Sequence, residues 1–262
     1  HNTHAKIATQ CAKAGRHVVV EKPFAITTAE CDRMIAAAEK SGVLLSTYHN
    51  RHWDGCVLGA VKNVVDGGKI GEVVRVEARM GSWGKPKNWW RSSRSVSGGI
   101  LYDWGVHLLE YSLQLIDSEI AEVTGFATNG VWAGKTKWAE DTNEDEATAL
   151  VRFKNGVFLT LRISSLDTNV KPGIVEVTGT KSSYVFDHGS FEVIKPKAKS
   201  VVRERGANPE SEQWRYYKNI ADHLVDNAEL VITPEWARRP VHILDLATKS
   251  AKRGTTLKAK YA

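Results

Sequence analysis

The 262-residue sequence predicts an α/β parallel sheet of doubly wound type over residues 1–50, joined to an α+β unit with a large, mainly antiparallel open sheet over residues 51–262. Three observations support this. Helix and strand patterns alternate through the first fifty residues with short links between them. The middle of the chain turns to alternating strand patterns broken by Asn-Gly, Gly-Thr and His-Gly turns. Helical periodicity then returns near the end.

Taken in order, "THAKIATQCAKAG" sets Ala5, Ile7, Ala8, Cys11 and Ala12 at helical spacing, with Gly15 where a C-terminal cap belongs. "HVVV" follows as a short β-branched run without alternation, the pattern of a strand covered on both faces. "TTAECDRMIAAAEKSG" repeats the helix, with Thr27 or Thr28 as N-cap, Glu30 in the first turn and Gly42 as the stop. "VLLST" is the next buried strand. This is half of a doubly wound sheet, and ligands bind such sheets beyond the carboxyl ends of the strands. Glu21, Lys22 and Pro23 stand at one such end, and Tyr48, His49, Asn50 and Arg51 at the other.

"GKIGEVVRVEARMGSW" reads as a turn and a strand, and "GKPKNWWRSSRSVSGG" as a loop rich in tryptophan and arginine. "ILYDWGVHLLEYSLQLI" carries Val106, Leu109, Leu113 and Ile116 along one face, so a helix is expected to open after Gly98 and Gly99. Asp103 and His107, four apart, then share a face at its start, where a carboxylate can hold an imidazole tautomer. An ordinary helical side-chain pair is the plainer account of the same spacing. Further on, "KNG" marks a hairpin, and "QWRYYKNIADHLVDN" and "PEWARRPVHILDLATKSA" read as amphipathic closing helices. His188, His223 and His242 receive no role.

Composition narrows the function. With 42% hydrophobic and 25% charged residues, the chain can bury real cores. It shows no apolar run long enough for a membrane helix and no signal-peptide pattern, so a soluble cytoplasmic protein is expected. The net charge of +6 comes from scattered Lys and Arg, with one concentration in the tail "KSAKRGTTLKAKYA", expected to be solvated surface. Neither a nucleic-acid nor a membrane partner is expected. Cys11, Cys31 and Cys56 are odd in number and lack CxxC spacing, which suits small core residues in a reducing compartment. His1, His4, Asp103 and His107 could offer metal ligands, but the spacing is weak and no metal is expected. Trp83, Trp89, Trp90 and Trp104 flank the Asp103/His107 pair, and flat aromatic faces cover the C–H surfaces of sugar rings. A carbohydrate or polyol contacted by Trp83, Trp90, Arg91, Arg94, Asp103 and His107 is therefore the expected substrate. Arg91 and Arg94 leave an acidic or phosphorylated sugar open.

"HNTH", "AKAGRHVVVEKPFA" and "SGGILYDWGVH" together resemble the Gfo/Idh/MocA family of nicotinamide-dependent oxidoreductases. In that family a Glu-Lys-Pro motif ends a Rossmann strand, and a Gly-Gly-x-x-x-Asp-x-Gly-x-His motif opens a helix of the second domain. The resemblance covers nearly the whole chain, with "HNRHWD" and "VKNVVDGGKIGEVVRVEAR" at the crossover. It implies NAD or NADP as cofactor, held by His1, His4, Glu21, Lys22, Pro23, Asn50 and Arg51. It also implies that Lys22, Asp103 and His107 are the catalytic set for hydride transfer at a hydroxyl or keto carbon, and that the open sheet packs against another subunit in a homo-oligomer. Asp103 would bind a neighbouring hydroxyl or orient the His107 ring. The chain departs from the pattern in having His1 where Asn is usual and no Gly-rich G-x-G-x-x-G turn. It thus looks like the later portion of a Rossmann domain, with the remainder expected elsewhere in the native protein. Two other outcomes stay open: a glycoside hydrolase using nicotinamide transiently, and a non-catalytic relative that senses sugar or cofactor.

Overall fold

A computed structural model describes residues 1–261. The chain opens with helix α1 (His4–Lys13), strand β1 (Val18–Val20), helix α2 (Thr28–Ser41) and strand β2 (Leu45–Thr47). Ala5, Ala8 and Ala12 form the buried stripe of α1, small enough to let it lie close against α2. Helix α2 begins with a capping box: the Thr27 hydroxyl accepts from the Glu30 amide at 3.2 Å, and the Glu30 carboxylate accepts from the Thr27 amide at 3.1 Å. It ends at Gly42, whose φ of 63° is the left-handed cap that glycine adopts without cost. Strands β1 and β2 pair in parallel, Val18 opposite Leu45. Their carboxyl ends therefore deliver residues 21–23 and 48–51 to one rim.

A 3₁₀ turn (Asn50–Trp53), helix α3 (Gly55–Ala60) and a π turn (Val61–Asp66) lead to strand β3 (Val73–Gly81). After a long loop come short helix α4 (Arg94–Ser97), a 3₁₀ turn (Ile100–Tyr102) and helix α5 (Gly105–Leu113). Strands β4 (Ile120–Thr128), β5 (Glu146–Phe153), β6 (Phe158–Ser164), β7 (Val175–Gly179), β8 (Ser183–Phe186), β9 (Ser190–Lys197) and β10 (Ser200–Ala207) follow. Helices α6 (Arg215–Asp226) and α7 (Pro234–Arg253) and strand β11 (Leu257–Lys258) close the chain. The large sheet has the order β10-β9-β8-β7-β3-β6-β5-β4-β11, antiparallel throughout except for the parallel β3/β6 pair. The expected hairpin turn lies between β5 and β6, with Gly156 at φ 89°.

One face of this sheet buries Val76, Ala78, Ala149, Val151, Leu159, Leu161, Val175 and Val177, and α5 packs on it along β3 and β6. Every residue of α5 from Gly105 to Leu113 is buried, because its other side meets α7 and the 3₁₀ turn at Asn50–Trp53. The opposite face is open. It carries ion pairs from Arg75 to Glu77, Arg79 to Glu176 and Arg162 to Glu146, with Phe126, Leu150 and Phe158 exposed among them.

The expected division at residue 50 is crossed by the closing helices. Tyr216, Ile220, Ile232, Ala237 and Val241 complete the core of the first unit, together with Phe24, Met34 and Leu45. Further along α7, Ile243, Leu244, Leu246 and Ala247 enter the core of the large sheet. An apolar stripe specifies that a helix must be covered, not by which neighbour, so the sequence pattern was silent here. The approach of α7 to β4 is close enough to require Gly125, whose absent Cβ would stand 1.9 Å from the Ala247 carbonyl oxygen. The basic tail is not simply solvated either. Leu257 and Lys258 pair with β4, and the Tyr261 hydroxyl donates to Asp32 at 2.8 Å. Cys31 and Cys56 are buried, whereas Cys11 is only half-buried. Among the described residues no helix is long and apolar enough to cross a membrane.

Candidate active site

The rim at the carboxyl ends of β1 and β2 faces the start of α5 across a cleft. One lobe, of about 340 Å³, is lined by Glu21, Lys22, Tyr48, Asn50, Arg51, Arg91, Asp103, Trp104 and His107. It shares Arg91, Asp103 and Trp104 with a second lobe of about 510 Å³ that runs beneath residues 80–91 and over β6.

Lys22 spans the cleft. Its ammonium donates to Asp103 Oδ1 at 2.8 Å and to the Asp103 carbonyl oxygen at 3.0 Å, which leaves one of its three N–H groups for a ligand. Asp103 Oδ1 also lies 3.4 Å from Arg91 Nε. The Arg91 guanidinium is packed over two indoles, 4.9 Å from the Trp89 ring and 4.6 Å from that of Trp90. Such stacking fixes an otherwise flexible cation at the mouth.

His107 is 5% exposed, with Nδ1 buried and without a partner among the described residues, while the ring lines the cleft. Burial holds its pKa well below the ordinary histidine range, reinforced by the nearby charges of Lys22 and Arg51. A neutral imidazole facing a fixed ammonium can accept a proton from a bound hydroxyl while the ammonium donates a hydrogen bond to the same oxygen. Arg51 is anchored from below. It donates to Asp54 Oδ2 at 2.8 Å and lies 5.1 Å from the Trp104 ring, and Asp54 Oδ2 also accepts from the Tyr111 hydroxyl at 2.6 Å.

Several expectations need correction. Helix α5 starts at Gly105, not after Gly99, so Asp103 precedes it with φ −81° and ψ −67°. Gly98 and Gly99, at φ 97° and 127°, admit a 3₁₀ turn first, and the Glu144 carboxylate accepts from the Ile100 amide there at 2.9 Å. Asp103 consequently turns to Lys22 and Arg91 and does not orient the His107 ring. Of the residues expected to hold cofactor, Glu21, Lys22, Asn50 and Arg51 line this lobe of the cleft, whereas His1, His4 and Pro23 are not among its lining residues. His4 Nδ1 donates to the Pro23 carbonyl oxygen at 2.8 Å, and His1 Nδ1 donates to that of Ser97 at 2.6 Å. Their imidazoles tie strand end to loop. Arg94 points away from the cleft: it pairs with Glu144 at 3.2 Å, donates to Asn129 Oδ1 at 2.7 Å and lines a separate cavity of about 200 Å³ beside α7. Trp83 packs edge-on against Trp132, and Trp90 against His1. Trp89 and Trp104 are the tryptophans that line the cleft. His188, assigned no role from sequence, reaches within 5.6 Å of the Trp104 ring on the turn between β8 and β9, a contact with no signature in the local pattern.

Residues 59–185 match the GFO/IDH/MocA C-terminal domain, and residues 1–49 match the oxidoreductase family with an NAD-binding Rossmann fold. The chain is 31% identical to the uncharacterised oxidoreductase YhhX of Escherichia coli over 99% of its own length and 78% of that protein. It is 25% identical to scyllo-inositol 2-dehydrogenase (NADP(+)) IolW of Bacillus subtilis, over 97% of this chain and 75% of that one. A match to the uncharacterised oxidoreductase C115.03 of Schizosaccharomyces pombe, at 34% identity, covers 44% of this chain and only 31% of that protein. Among solved structures, levoglucosan dehydrogenase in complex with NADH and levoglucosan shares the fold, with a TM-score of 0.83 at 18% identity over 100% of this chain and 78% of that one. On the two matched segments and the near full-length likeness to YhhX, the chain belongs to the Gfo/Idh/MocA family of NAD(P)-dependent oxidoreductases.

Proposed function

We propose that the protein oxidises a secondary hydroxyl of a sugar or polyol, or reduces the matching ketone, with Lys22, Asp103 and His107 as the acid–base set. The observation that carries this is the Lys22 ammonium fixed by Asp103 opposite the buried His107 ring, at the carboxyl rim of a parallel sheet. The donor set fits the nicotinamide end of a dinucleotide, with Glu21, Lys22 and Asn50 placed to hold it; a Gly-rich phosphate turn is not among these residues. When bound, the cofactor supplies the hydride acceptor. In the oxidation direction His107 takes the hydroxyl proton, and Lys22 stabilises the oxygen as it becomes a carbonyl. Asp103 keeps the ammonium in place, and Arg91 reads a neighbouring hydroxyl or acidic group from its seat between Trp89 and Trp90.

Polyhydroxylated rings suit this lining, since Trp89 and Trp104 offer flat faces and the charged groups take hydroxyls. The inositol dehydrogenase relative and the levoglucosan dehydrogenase neighbour support a cyclic polyol or anhydro sugar as the first substrates to try. The relatives are named as oxidoreductases and dehydrogenases, which favours hydride transfer over the hydrolase and sensing alternatives. The test is accumulation of reduced nicotinamide when the protein meets NAD or NADP with a panel of cyclitols, aldoses and anhydro sugars. No net reduction with any of them, despite saturable cofactor binding, would remove this reading. We further propose that a second copy covers the open sheet face around Phe126, Leu150 and Phe158; a monomeric mass in light scattering at working concentration would refute it.

A further inference from the structure

Beneath the cleft lies a set of buried polar groups that substrate binding leaves unexplained. His49 is 1% exposed, and neither of its ring nitrogens has a hydrogen-bond partner among the described residues. Burial of an imidazole with both nitrogens unpaired is costly, so such groups ordinarily meet water or an exchanging partner. Glu110, also 1% exposed, sits one turn along α5 from His107. It accepts from His52 Nδ1 at 2.5 Å, from Gln114 Nε2 at 3.1 Å and from Trp236 Nε1 at 3.3 Å.

Two short elements carry these groups. His49 immediately precedes the 3₁₀ turn that carries His52, and His107 and Glu110 are three apart on α5, neighbours on one helix face. Contact between His52 and Glu110 holds the 3₁₀ turn, with His49 just before it, against the helix that carries His107. The electrostatics agree: His49 feels Glu110, His52 and Lys22, and His107 feels His49. His107 keeps Nδ1 buried on this side while its ring lines the cleft on the other. The His52 side chain is 17% exposed.

We propose that His107, His49 and the Glu110–His52 pair form a proton exit path from the reaction centre to solvent, with water completing the hydrogen bonds of His49. The proposal rests on the reading that His107 takes the hydroxyl proton. In oxidation the C–H electron pair leaves as hydride to the oxidised nicotinamide, the O–H bond breaks, and its proton joins the cleft-facing nitrogen of His107. The Nδ1 proton of His107 passes to His49, a proton passes from His49 to Glu110, and His52 releases one to solvent. One proton leaves for each hydroxyl oxidised, and the path runs backwards in reduction. Neither imidazole can store the charge. Burial lowers both, and Lys22 and Arg51 near His107, or Lys22 and His52 near His49, oppose an imidazolium that Glu110 only partly favours. A proton taken by His107 must therefore move on.

The test is steady-state oxidation of the active protein and its His49→Leu variant in light and heavy water. The variant is expected to lose about tenfold or more in kcat, less than the 10²–10⁴ of a direct acid–base group. KM should hold within about twofold, the solvent isotope effect should grow, and added imidazole should restore part of the rate. Unchanged kcat and isotope effect would overturn the path, as would a lower kcat with an unchanged isotope effect and no imidazole rescue, since that is a structural defect only. If His49→Leu fails to fold, His52→Gln at the half-buried exit must show the same isotope signature, and its absence overturns the path equally. A high-resolution crystal structure gives an arm independent of turnover: His107 Nδ1 must connect to His49 directly or through one ordered water, and a dry gap would sink the proposal. Absence of turnover in the unmodified protein would instead strike at the oxidoreductase reading, so the two failures are distinct.

Discussion

Replacing His107 by leucine keeps a buried side chain of similar bulk on α5 but removes the only proton acceptor assigned to the cleft. Two consequences can be sized from its surroundings. Loss of the acid–base group should cost 10²–10⁴ in kcat, about 3–5 kcal/mol of transition-state stabilisation. Loss of one hydrogen bond to the bound hydroxyl should cost about 0.5–1.5 kcal/mol, so KM rises roughly tenfold at most. The pH profile separates this from a packing defect. Because burial and the Lys22 charge hold the His107 pKa well below the ordinary histidine range, the unmodified protein should keep its full oxidation rate down through pH 6.5 and lose it only in more acid solution. In Lys22→Met, which removes the second cause of that depression, the residual rate should show an acid limb displaced upward, toward 6.5. The assay is nicotinamide reduction across the acid range with cofactor affinity measured alongside. If His107→Leu retains more than a tenth of kcat, or if Lys22→Met leaves the acid limb in place, the assignment of His107 as proton acceptor is wrong.

Three further expectations follow from the fold and the site. Asp103→Asn removes the charge that pins the Lys22 ammonium at 2.8 Å, and kcat should fall at least tenfold with little change in thermal midpoint, as the pair is partly exposed; a rate within twofold would dismiss Asp103 as a positioning group. Gly125→Ala drives a methyl to within 1.9 Å of the Ala247 carbonyl oxygen, so α7 must recede; a loss of about 3 kcal/mol or more, seen as a midpoint lowered by roughly 6–12 °C, is expected in calorimetry. His49 and His242 are buried, with pKa values lowered to about 4. The unfolded chain protonates them near 6.5 and the folded chain only near 4, so stability is full above 6.5 and declines as pH falls through that window, by about 3 kcal/mol for each ring. His242→Gln should flatten that slope in denaturant titrations, and an unaltered slope would contradict the account.

The local grammar of the first fifty residues was legible because each element carries its own start and stop. Thr27, Glu30 and Gly42 bound α2 in the structure as they do in the sequence. The rim that gathers Lys22 and Arg51 followed from strand ends alone. The pairing of Lys22 with Asp103 did not, since 81 residues separate them and only the tertiary fold brings them together. Nor did the direction of Arg94, for nothing in "RSSRSV" distinguishes the arginine that stacks on Trp89 from the one captured by Glu144. His49 stood visibly at a strand end, but its relation to Glu110 and His107 depends on two elements lying side by side.

Helix α7 places Ala237 and Val241 in one core and Ile243, Leu244, Leu246 and Ala247 in the other. Any swing of the two bodies would have to bend this one helix, and Pro240, which cannot donate to the carbonyl four residues back, stands where it passes from one core to the other. The segment at 82–91, with Trp83, Trp89 and Trp90 exposed along it, borders the doorway of the second lobe.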